Sequence, residues 1–415
     1  MTYKFWQKKT QEEIKATVNK ALKQNVNYVE EDIIGIPASY LDEKVFNKDE
    51  SFLKDAPFMS ALVQNPNHIG CHTLGKSESI FSGTQEIEKD LIEICAVDIL
   101  KGEPKKQDGY VASGGTEANI QAIWAYRNYY MSESSAKLDD ICIICTEDSH
   151  YSMDKASNLL SISIYKIPVE EETREVTEQT LSETLKQAKS EGKKHFIVVC
   201  NMMTTMFGSV DNVDLFTEQL SALNCDFKLH VDGAYGGFYY PFSDQNNKLS
   251  FENPAITSFT LDAHKMAQAP YGTGIFLIRK GYLGYVNTKA GYLEGEDLTL
   301  IGSRSGANTI SVWMILAKYG PYGWFEKIYI LQKRTSWLCE QLEQLGVTYY
   351  RNPNSNIVTI KNGCIPQYII DKFGLVSDSQ SKPNWFKVVI MEHATLDKLA
   401  KLVDEIKKYQ KGKLN

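Results

Sequence analysis

Short apolar runs alternate with helix-like segments from about residue 80 to about residue 280, and this alternation limits the fold more than any other feature. The runs are rich in β-branched residues and lie at residues 141–144, 196–199, 229–231 and 274–278. Between residues 84 and 100 the apolar residues recur instead at helical spacing. Such alternation is typical of a mainly parallel sheet covered by helices, with ligand sites at the strand ends. The sequence therefore predicts an α/β fold.

The two ends of the chain depart from this pattern. The first part is polar and mixed, with an amphipathic helix predicted at residues 11–18, and we expect it to form an arm against a partner subunit. The last part has a long helical stretch, two β-type runs at residues 356–360 and 386–390, and a final helix, which predicts a small α+β domain. A chain of 415 residues can bury a large core. We expect an N-terminal segment at 1–65, a large ligand-binding domain at 66–318 and a small domain at 319–415.

Composition excludes several classes of partner. The chain is 43% hydrophobic and 23% charged, as soluble globular proteins are, with a net charge of -7. Its 45 Lys and Arg residues are dispersed, so we expect no nucleic-acid partner. Neither a signal peptide nor a membrane span is indicated, which predicts a cytoplasmic protein. Cys142 and Cys145 form a C-x-x-C pair inside an apolar run, which favours structural thiols over a redox pair or a metal site.

Two charged residues stand at the ends of predicted strands. Lys265 directly follows His264 at the end of the β-type run 258–261, where a lysine can act as a nucleophile toward a carbonyl group. Asp232 closes an earlier strand and is followed by small residues, where it could pair with a ring nitrogen while Ala234 leaves room for a flat ring. Each residue also has a simpler interpretation, a surface lysine and a turn-capping aspartate.

Two further segments suit a phosphorylated ring. Gly114, Gly115 and Thr116 lie between a short strand and a helix start, and the backbone N–H groups of a helix N-terminus bind phosphate well. A helix capped by Thr116 is the alternative. His150 follows a strand and could lie flat on a conjugated ring. Of the other histidines we expect most to be structural.

Taken together, these stretches resemble the group II pyridoxal-phosphate (PLP) dependent decarboxylases of fold type I. The matching segments are 113–119, 149–152, 204–211, 230–237 and 262–266, continued by 302–306 and Trp313. The likeness extends from about residue 80 to the end and implies a mainly parallel, seven-stranded type of sheet, a PLP cofactor, and removal of the carboxylate from a free L-amino acid. It also implies a homodimer with the active site between subunits. Three positions depart from the family: Ala263 replaces a proline, Gly233 an alanine and Met203 a glycine.

The resemblance implies a role for each matching residue. Lys265 would bind the cofactor as an imine, Asp232 would bind the ring nitrogen, and His150 would stack on the ring. The remaining cofactor contacts would be Gly114, Gly115, Thr116 and His264 at the phosphate, Thr205 at the ring hydroxyl or the substrate, and Ala234 behind the ring. Tyr292 would return a proton from a mobile loop. His72 and Arg304 are candidates for substrate binding, although a buried structural ion pair is an equal alternative for Arg304.

The substrate stays open at this stage. The middle of the chain is similar to short archaeal tyrosine/aspartate decarboxylases, whereas segments 302–304 and 351–356 are more similar to bacterial histidine and plant serine decarboxylases. We favour aspartate, glutamate or a tyrosine-like amino acid over histidine; an acidic one would need cationic partners such as Lys76, His72 or Arg304. Two rivals are a PLP aldehyde lyase of the sphingosine-phosphate type and a catalytically silent binding relative.

Overall fold

The structure is a computed structural model that describes residues 3–27, 41, 46, 50–75, 79–288, 291 and 295–413. Its α-helices are α1 (Gln11–Gln24), α2 (Pro57–Gln64), α3 (Ser82–Glu93), α4 (Gly115–Glu133), α5 (Ser152–Leu160), α6 (Glu178–Ser190), α7 (Val213–Ala222), α8 (Tyr240–Ser243), α9 (Gly306–Gln344), α10 (Gln367–Phe373) and α11 (Leu396–Lys413). Its strands are β1 (Asn67–Ile69), β2 (Gln107–Ala112), β3 (Ile141–Thr146), β4 (Ser163–Ile167), β5 (His195–Asn201), β6 (Asp226–Gly233), β7 (Ile256–Asp262), β8 (Gly274–Arg279), β9 (Ser303–Ser305), β10 (Tyr349–Tyr350), β11 (Ile357–Lys361), β12 (Val376–Ser377) and β13 (Trp385–Val389).

A seven-stranded sheet forms the centre, in the order β2-β8-β7-β6-β5-β3-β4. Strands β4, β3, β5, β6 and β7 run parallel, and β8 is antiparallel to both β7 and β2. Every residue of β3 and β7 is buried, because helices and loops cover both faces of the sheet. This burial explains why the strands read as continuous apolar runs. The predicted mainly parallel α/β fold is confirmed.

The last part of the chain forms a separate four-stranded antiparallel sheet in the order β10-β11-β13-β12, together with α10 and α11. Helix α9 connects the two regions and is kinked at Gly320, whose φ is 61°, directly before Pro321. A proline there cannot continue the hydrogen-bond ladder of the preceding turn. The small α+β region expected at the C-terminus is therefore present.

The described part of the N-terminal segment packs on its own chain. Helix α1 contacts α3 and α9 and buries Ile14 and Val18. Trp6 is also buried and donates from its indole N–H to the Leu316 carbonyl at 2.7 Å. An arm that reaches a partner subunit therefore stays a prediction, and the observed contacts of this segment are internal. No helix within the described ranges has both the length and the apolar character to cross a bilayer.

Candidate active site

The carboxyl ends of the parallel strands carry the charged residues that the sequence singled out. Asp232 is the second-to-last residue of β6, and the link between β7 and β8 carries His264 and Lys265. Two adjoining cavities open at this edge, and both are lined by His150, Ala234 and Lys265. The first also contains Asn201, Met203, Thr204, Thr205, Asp232 and Tyr235 in its wall, and the second Ser113, Gly114, Gly115, Thr116, Glu117, Asn119, Tyr151, Asp262 and His264. The structure therefore brings together all nine residues predicted to contact the cofactor.

Lys265 lies beside a buried carboxylate that the sequence interpretation missed. Its Nζ atom is 3.9 Å from Oδ2 of Asp262, the last residue of β7. That carboxylate also accepts a hydrogen bond from the Gly115 N–H at 3.1 Å and lies 2.7 Å from Nδ1 of His264. Burial raises the pKa of Asp262 to about 6, against the lowering effect of Lys265. An acid three residues before the lysine, at a strand end, was the available signal.

The glycine-rich segment fits a phosphate group. Helix α4 begins at Gly115 and is 19 residues long, so its N-terminal N–H groups present a partial positive charge. A side chain on Gly274 would come within 2.4 Å of the Gly114 backbone, so the tight approach of β8 to this turn requires glycine. His264 lies on the open side of this turn. Its Cε1 atom is 3.8 Å from the position that a Cβ atom on Gly114 would occupy. The turn is therefore narrow and carries no side chain of its own at Gly114 and Gly115, so a PLP phosphate could approach its N–H groups other than that of Gly115, which donates to Asp262.

Asp232 presents a carboxylate held by neutral donors. Its Oδ2 accepts a hydrogen bond from Asn119 at 2.8 Å, and its Oδ1 accepts one from the Ala234 N–H at 3.0 Å. The residue is only 7% exposed, so water screens its charge weakly. A buried carboxylate of this kind suits a protonated ring nitrogen, which would supply the missing positive charge.

His150 faces the same cavities in a defined hydrogen-bonding state. Its Nδ1 atom lies 2.9 Å from the Ser152 hydroxyl and accepts from the Ser152 N–H at 3.2 Å. Burial lowers the pKa of His150; Asp232 opposes this shift, while Lys265 and Lys155 add to it. A neutral imidazole is therefore favoured, which suits stacking on an aromatic ring.

Met203 stands where the resembling family usually has a glycine, and its backbone conformation is one that favours glycine. Its φ is +68°, in the left-handed region where glycine is favoured, yet its side chain is buried in the cavity wall. The glycine usual at this position would adopt the conformation without strain. Here a methionine adopts it and fills space beside Thr205 and Asp232.

Lys387 is a second cation near the site that the sequence interpretation missed. It lies on β13 of the small sheet, and its Nζ donates to the Thr205 carbonyl at 2.9 Å. Burial and the charge of Lys265 both lower the pKa of Lys387. A lysine inside an otherwise apolar strand was the only signal in the sequence, and the contact with the other domain could not be read from it.

Arg304 and His72 lie in a separate buried cluster. Arg304 pairs with Glu88 at 2.6 Å and donates to the Val111 carbonyl at 3.0 Å, and His72 lies 2.9 Å from the same carboxylate. Although burial favours the neutral acid, Arg304 together with the histidines holds the pKa of Glu88 well below its usual range. Burial also lowers the pKa of His72 to about 4. This geometry matches the structural alternative for Arg304, because its guanidinium is already engaged by Glu88 and the Val111 carbonyl.

The other two sequence candidates, Tyr292 and Lys76, lie outside the described residues.

Comparison with known proteins identifies the family of the chain. Residues 86–355 match the pyridoxal-dependent decarboxylase conserved domain. Tryptophan decarboxylase of Clostridium sporogenes is 49% identical over 99% of each chain, and a probable L-tyrosine/L-aspartate decarboxylase of Methanocella arvoryzae is 30% identical over 88% of this chain and 98% of that one. In fold, the chain is similar to L-methionine decarboxylase of Streptomyces sp. 590, with a TM-score of 0.71 and 19% identity over 94% of this chain and 92% of that one. The chain belongs to the pyridoxal-dependent decarboxylase family and is a PLP-dependent amino-acid decarboxylase of fold type I.

Proposed function

We propose that this enzyme decarboxylates L-tryptophan, or a closely related aromatic L-amino acid, to the corresponding amine and carbon dioxide. The observation that carries this proposal is the 49% identity to a tryptophan decarboxylase over 99% of both chains. The preference for aspartate, glutamate or a tyrosine-like substrate drawn from the sequence is not confirmed. The proposed aromatic substrate retains the tyrosine-like part of that preference and excludes aspartate and glutamate.

The charges around the cavities support an uncharged substrate side chain. Lys265 is the one lysine or arginine among the described residues that line them. Of the cations proposed from the sequence for an acidic side chain, Arg304 and His72 both contact Glu88, and Lys76 lies outside the described residues. Met203, Ala234 and Tyr235 supply apolar surface instead. An acidic side chain would need a further cation in addition to the one that the α-carboxylate of every amino acid requires.

Each residue of the site has a separate part in the proposed reaction. When bound, the cofactor supplies a conjugated ring that accepts the electron pair left by the departing carboxylate. Lys265 would be the amine that holds the cofactor covalently, and Asp232 would hold a proton on the ring nitrogen. His150 would stack on the ring, and the N-terminus of α4 would bind the phosphate. Lys387, whose Nζ donates to the Thr205 carbonyl, would orient the α-carboxylate of the substrate.

A substrate panel tests the proposal. The purified protein with PLP is incubated with tryptophan, phenylalanine, tyrosine, aspartate, glutamate and histidine, and both carbon dioxide and amine are measured. We expect kcat/KM for tryptophan to exceed that for aspartate and glutamate by about a hundredfold or more, because an apolar pocket leaves a charged side chain unpaired. Faster turnover of an acidic substrate would contradict the assignment. Threonine, which has a β-hydroxyl group, tests the lyase alternative, because release of an aldehyde from it without carbon dioxide would favour cleavage of the Cα–Cβ bond.

Variants of Lys387 test the carboxylate role. Lys387→Ala should raise KM for tryptophan about tenfold or more, since a charge-assisted contact contributes about 1.5–3 kcal/mol. Lys387→Arg keeps the charge and should recover most of this loss. Equal KM values in all three proteins would remove Lys387 from the site.

The covalent link is tested on the protein itself. Borohydride reduction of the PLP-loaded protein followed by peptide mapping should place the cofactor on Lys265, and Lys265→Ala should abolish both the trapped cofactor and the visible absorbance. Lys280→Ala, which removes a surface lysine just after β8, is the matched control and should change neither. Asp232→Asn should retain PLP and lose about a hundredfold or more in kcat. Trapping on any other lysine would overturn the site assignment.

We further propose a homodimer with the site between subunits. Tyr271 supports this, because its ring lies 5.1 Å from the His264 ring while 86% of the residue is exposed. An aromatic side chain left open at the edge of a cofactor site is suited to being covered by a second subunit.

A further inference from the structure

A buried amide joins the two residues that would contact the cofactor ring. Asn119 lies in the second turn of α4 and is 1% exposed. Its Nδ2 donates to Oδ2 of Asp232 at 2.8 Å and to the Ser152 hydroxyl at 2.9 Å. Its Oδ1 lies 3.0 Å from Nε2 of His230. One side chain therefore contacts three partners, two on β6 (His230 and Asp232) and one at the start of α5 (Ser152).

The chemistry of these partners fixes the direction of every bond. The Asp232 carboxylate only accepts hydrogen bonds, so the NH₂ end of Asn119 must face it and the oxygen must face His230. His230 then carries its proton on Nε2, and its Nδ1 accepts from the Ser258 hydroxyl at 2.7 Å. Burial lowers the pKa of His230 to about 4, although the charge of Asp232 acts to raise it. The imidazole ring is therefore neutral at neutral pH. The direction of the Asn119 amide is thus set from both sides.

The second branch reaches His150. The Ser152 hydroxyl accepts a hydrogen bond from the Asn119 amide. It can therefore donate its own hydrogen to Nδ1 of His150, which lies 2.9 Å away. The Ser152 N–H points at the same nitrogen at 3.2 Å. Two donors on Nδ1 leave the proton of a neutral His150 on Nε2. The tautomer of His150 is therefore held by the Ser152 N–H and, through the Ser152 hydroxyl, by the orientation of Asn119.

We propose that Asn119 is a positioning residue that sets the orientation of Asp232 and the Nε2–H tautomer of His150 together. The proposal rests on the proposed function in one respect, namely that these two residues contact the cofactor ring. Asparagine is suited to this task because it offers two donors and one acceptor in a planar group. Aspartate of the same shape would replace the donors with a second carboxylate next to Asp232. Alanine would leave buried polar groups of Asp232, Ser152 and His230 without this partner.

The first test needs neither cofactor nor substrate. Two-bond ¹H–¹⁵N correlation spectra of ¹⁵N-histidine-labelled protein without PLP distinguish the two neutral tautomers, and His150→Gln assigns the His150 signals by their loss. We expect the Nε2–H tautomer for both His150 and His230 in the wild type. In Asn119→Asp and Asn119→Ser the His150 signals should shift toward a mixture of tautomers or the protonated ring. An Nδ1–H tautomer at His150 in the wild type overturns the proposal, whatever the variants do.

The second test uses the PLP-loaded enzyme. Asn119→Asp and Asn119→Ser should lower kcat by about a hundredfold while KM changes less than about threefold, because the substrate contacts remain. The pH dependence of the visible absorbance should also move, because it reports the proton on the Lys265 imine, whose pKa depends on the ring proton near Asp232. Asn128→Asp, on the same helix but bonded to the Tyr285 carbonyl instead, is the matched control and should behave as wild type. Variants that keep wild-type tautomers, absorbance and kcat would contradict the role.

The two proposals can fail separately. If the wild type decarboxylates no amino acid in the panel, the proposed function fails, whereas the tautomer spectra still test the role of Asn119. If a variant does not fold, as judged by circular dichroism, the wild-type spectrum still decides the question.

Discussion

Met203 has a backbone conformation that few residues with side chains adopt. A φ of +68° costs a non-glycine residue on the order of 1–2 kcal/mol, and such strain persists only where surrounding contacts hold it. The neighbouring carbonyl of Met202 leaves no room for a side chain at Gly236, which packs directly on this turn. The strain therefore lies in the wall of the candidate active site, where Met203 takes part in shaping the pocket.

Comparing glycine with alanine at this position measures the strain. In most buried positions glycine is less stable than alanine by about 0.5–1 kcal/mol. At position 203 the order should reverse, so that Met203→Gly is more stable than Met203→Ala by about 1 kcal/mol in urea unfolding. The same pair of substitutions at Met153, a buried residue of α5, is the matched control and should give the ordinary order. The ordinary order at both positions would show that Met203 is not strained.

Single residues also mark the limit of what the sequence predicts. Lys265, Asp232 and His150 could be found because each stands at the end of a strand next to a recognisable segment. Asn119 and Lys387 could not, because their roles depend on which element faces them. Asn119 reaches β6 across the helix–sheet contact, and Lys387 reaches Thr205 from the small sheet. Periodicity along the chain carries no information about either distance.

At the scale of elements, strand positions and the mainly parallel direction of the sheet were predictable, whereas the antiparallel direction of one strand was not. The four apolar runs are β3, β5, β6 and β8, as expected, since each is long, β-branched and buried. The antiparallel direction of β8 was not visible in the sequence, because it depends on how the eleven-residue link that carries Lys265, residues 263–273, turns the chain. Helix α1 was likewise predicted as a helix, whereas its packing surface on α3 and α9 was not.

Trp6 tests how the N-terminal segment is held. Its ring packs edge-to-face on Phe242 and near Trp324, so Trp6→Ala should destabilise the fold by about 3–5 kcal/mol in urea unfolding. Tyr322→Ala, which truncates an aromatic residue that is 73% exposed, should cost less than about 0.5 kcal/mol. If the segment were mainly an arm on a partner, Trp6→Ala would instead weaken dimerisation and leave the unfolding midpoint of the subunit unchanged.

At the scale of the whole molecule, buried neutral histidines make the fold sensitive to acid. An unfolded histidine has a pKa near 6.5, whereas burial lowers the pKa of His230 in the folded protein to about 4. The unfolded state therefore binds the additional proton between these values. The contribution of His230 to stability is complete above about pH 6.5 and is lost as the pH falls toward 4.

A variant that cannot titrate isolates this contribution. Between about pH 7 and pH 4.5 the wild type should lose about 2 kcal/mol of unfolding free energy through His230. His230→Gln retains a donor toward Asn119 but has no proton to gain, so its loss over the same interval should be smaller by that amount. Urea unfolding at the two pH values gives the comparison. Equal losses in both proteins would mean that folding does not lower the pKa of His230.

The proposed homodimer makes the final prediction at this scale. Light scattering of the PLP-loaded protein should give twice the chain mass of 47.0 kDa. Tyr271→Arg places a charge at the exposed edge of the cofactor site. Because burying an unpaired charge in an interface is costly, this variant should shift the protein toward monomer. It should also raise the dissociation constant of PLP. Tyr368→Arg, at an exposed position of the small domain far along the chain, is the control and should change neither quantity. A wild-type monomer with full activity would remove the dimer proposal, and a Tyr271→Arg dimer with unchanged PLP affinity would place the interface elsewhere.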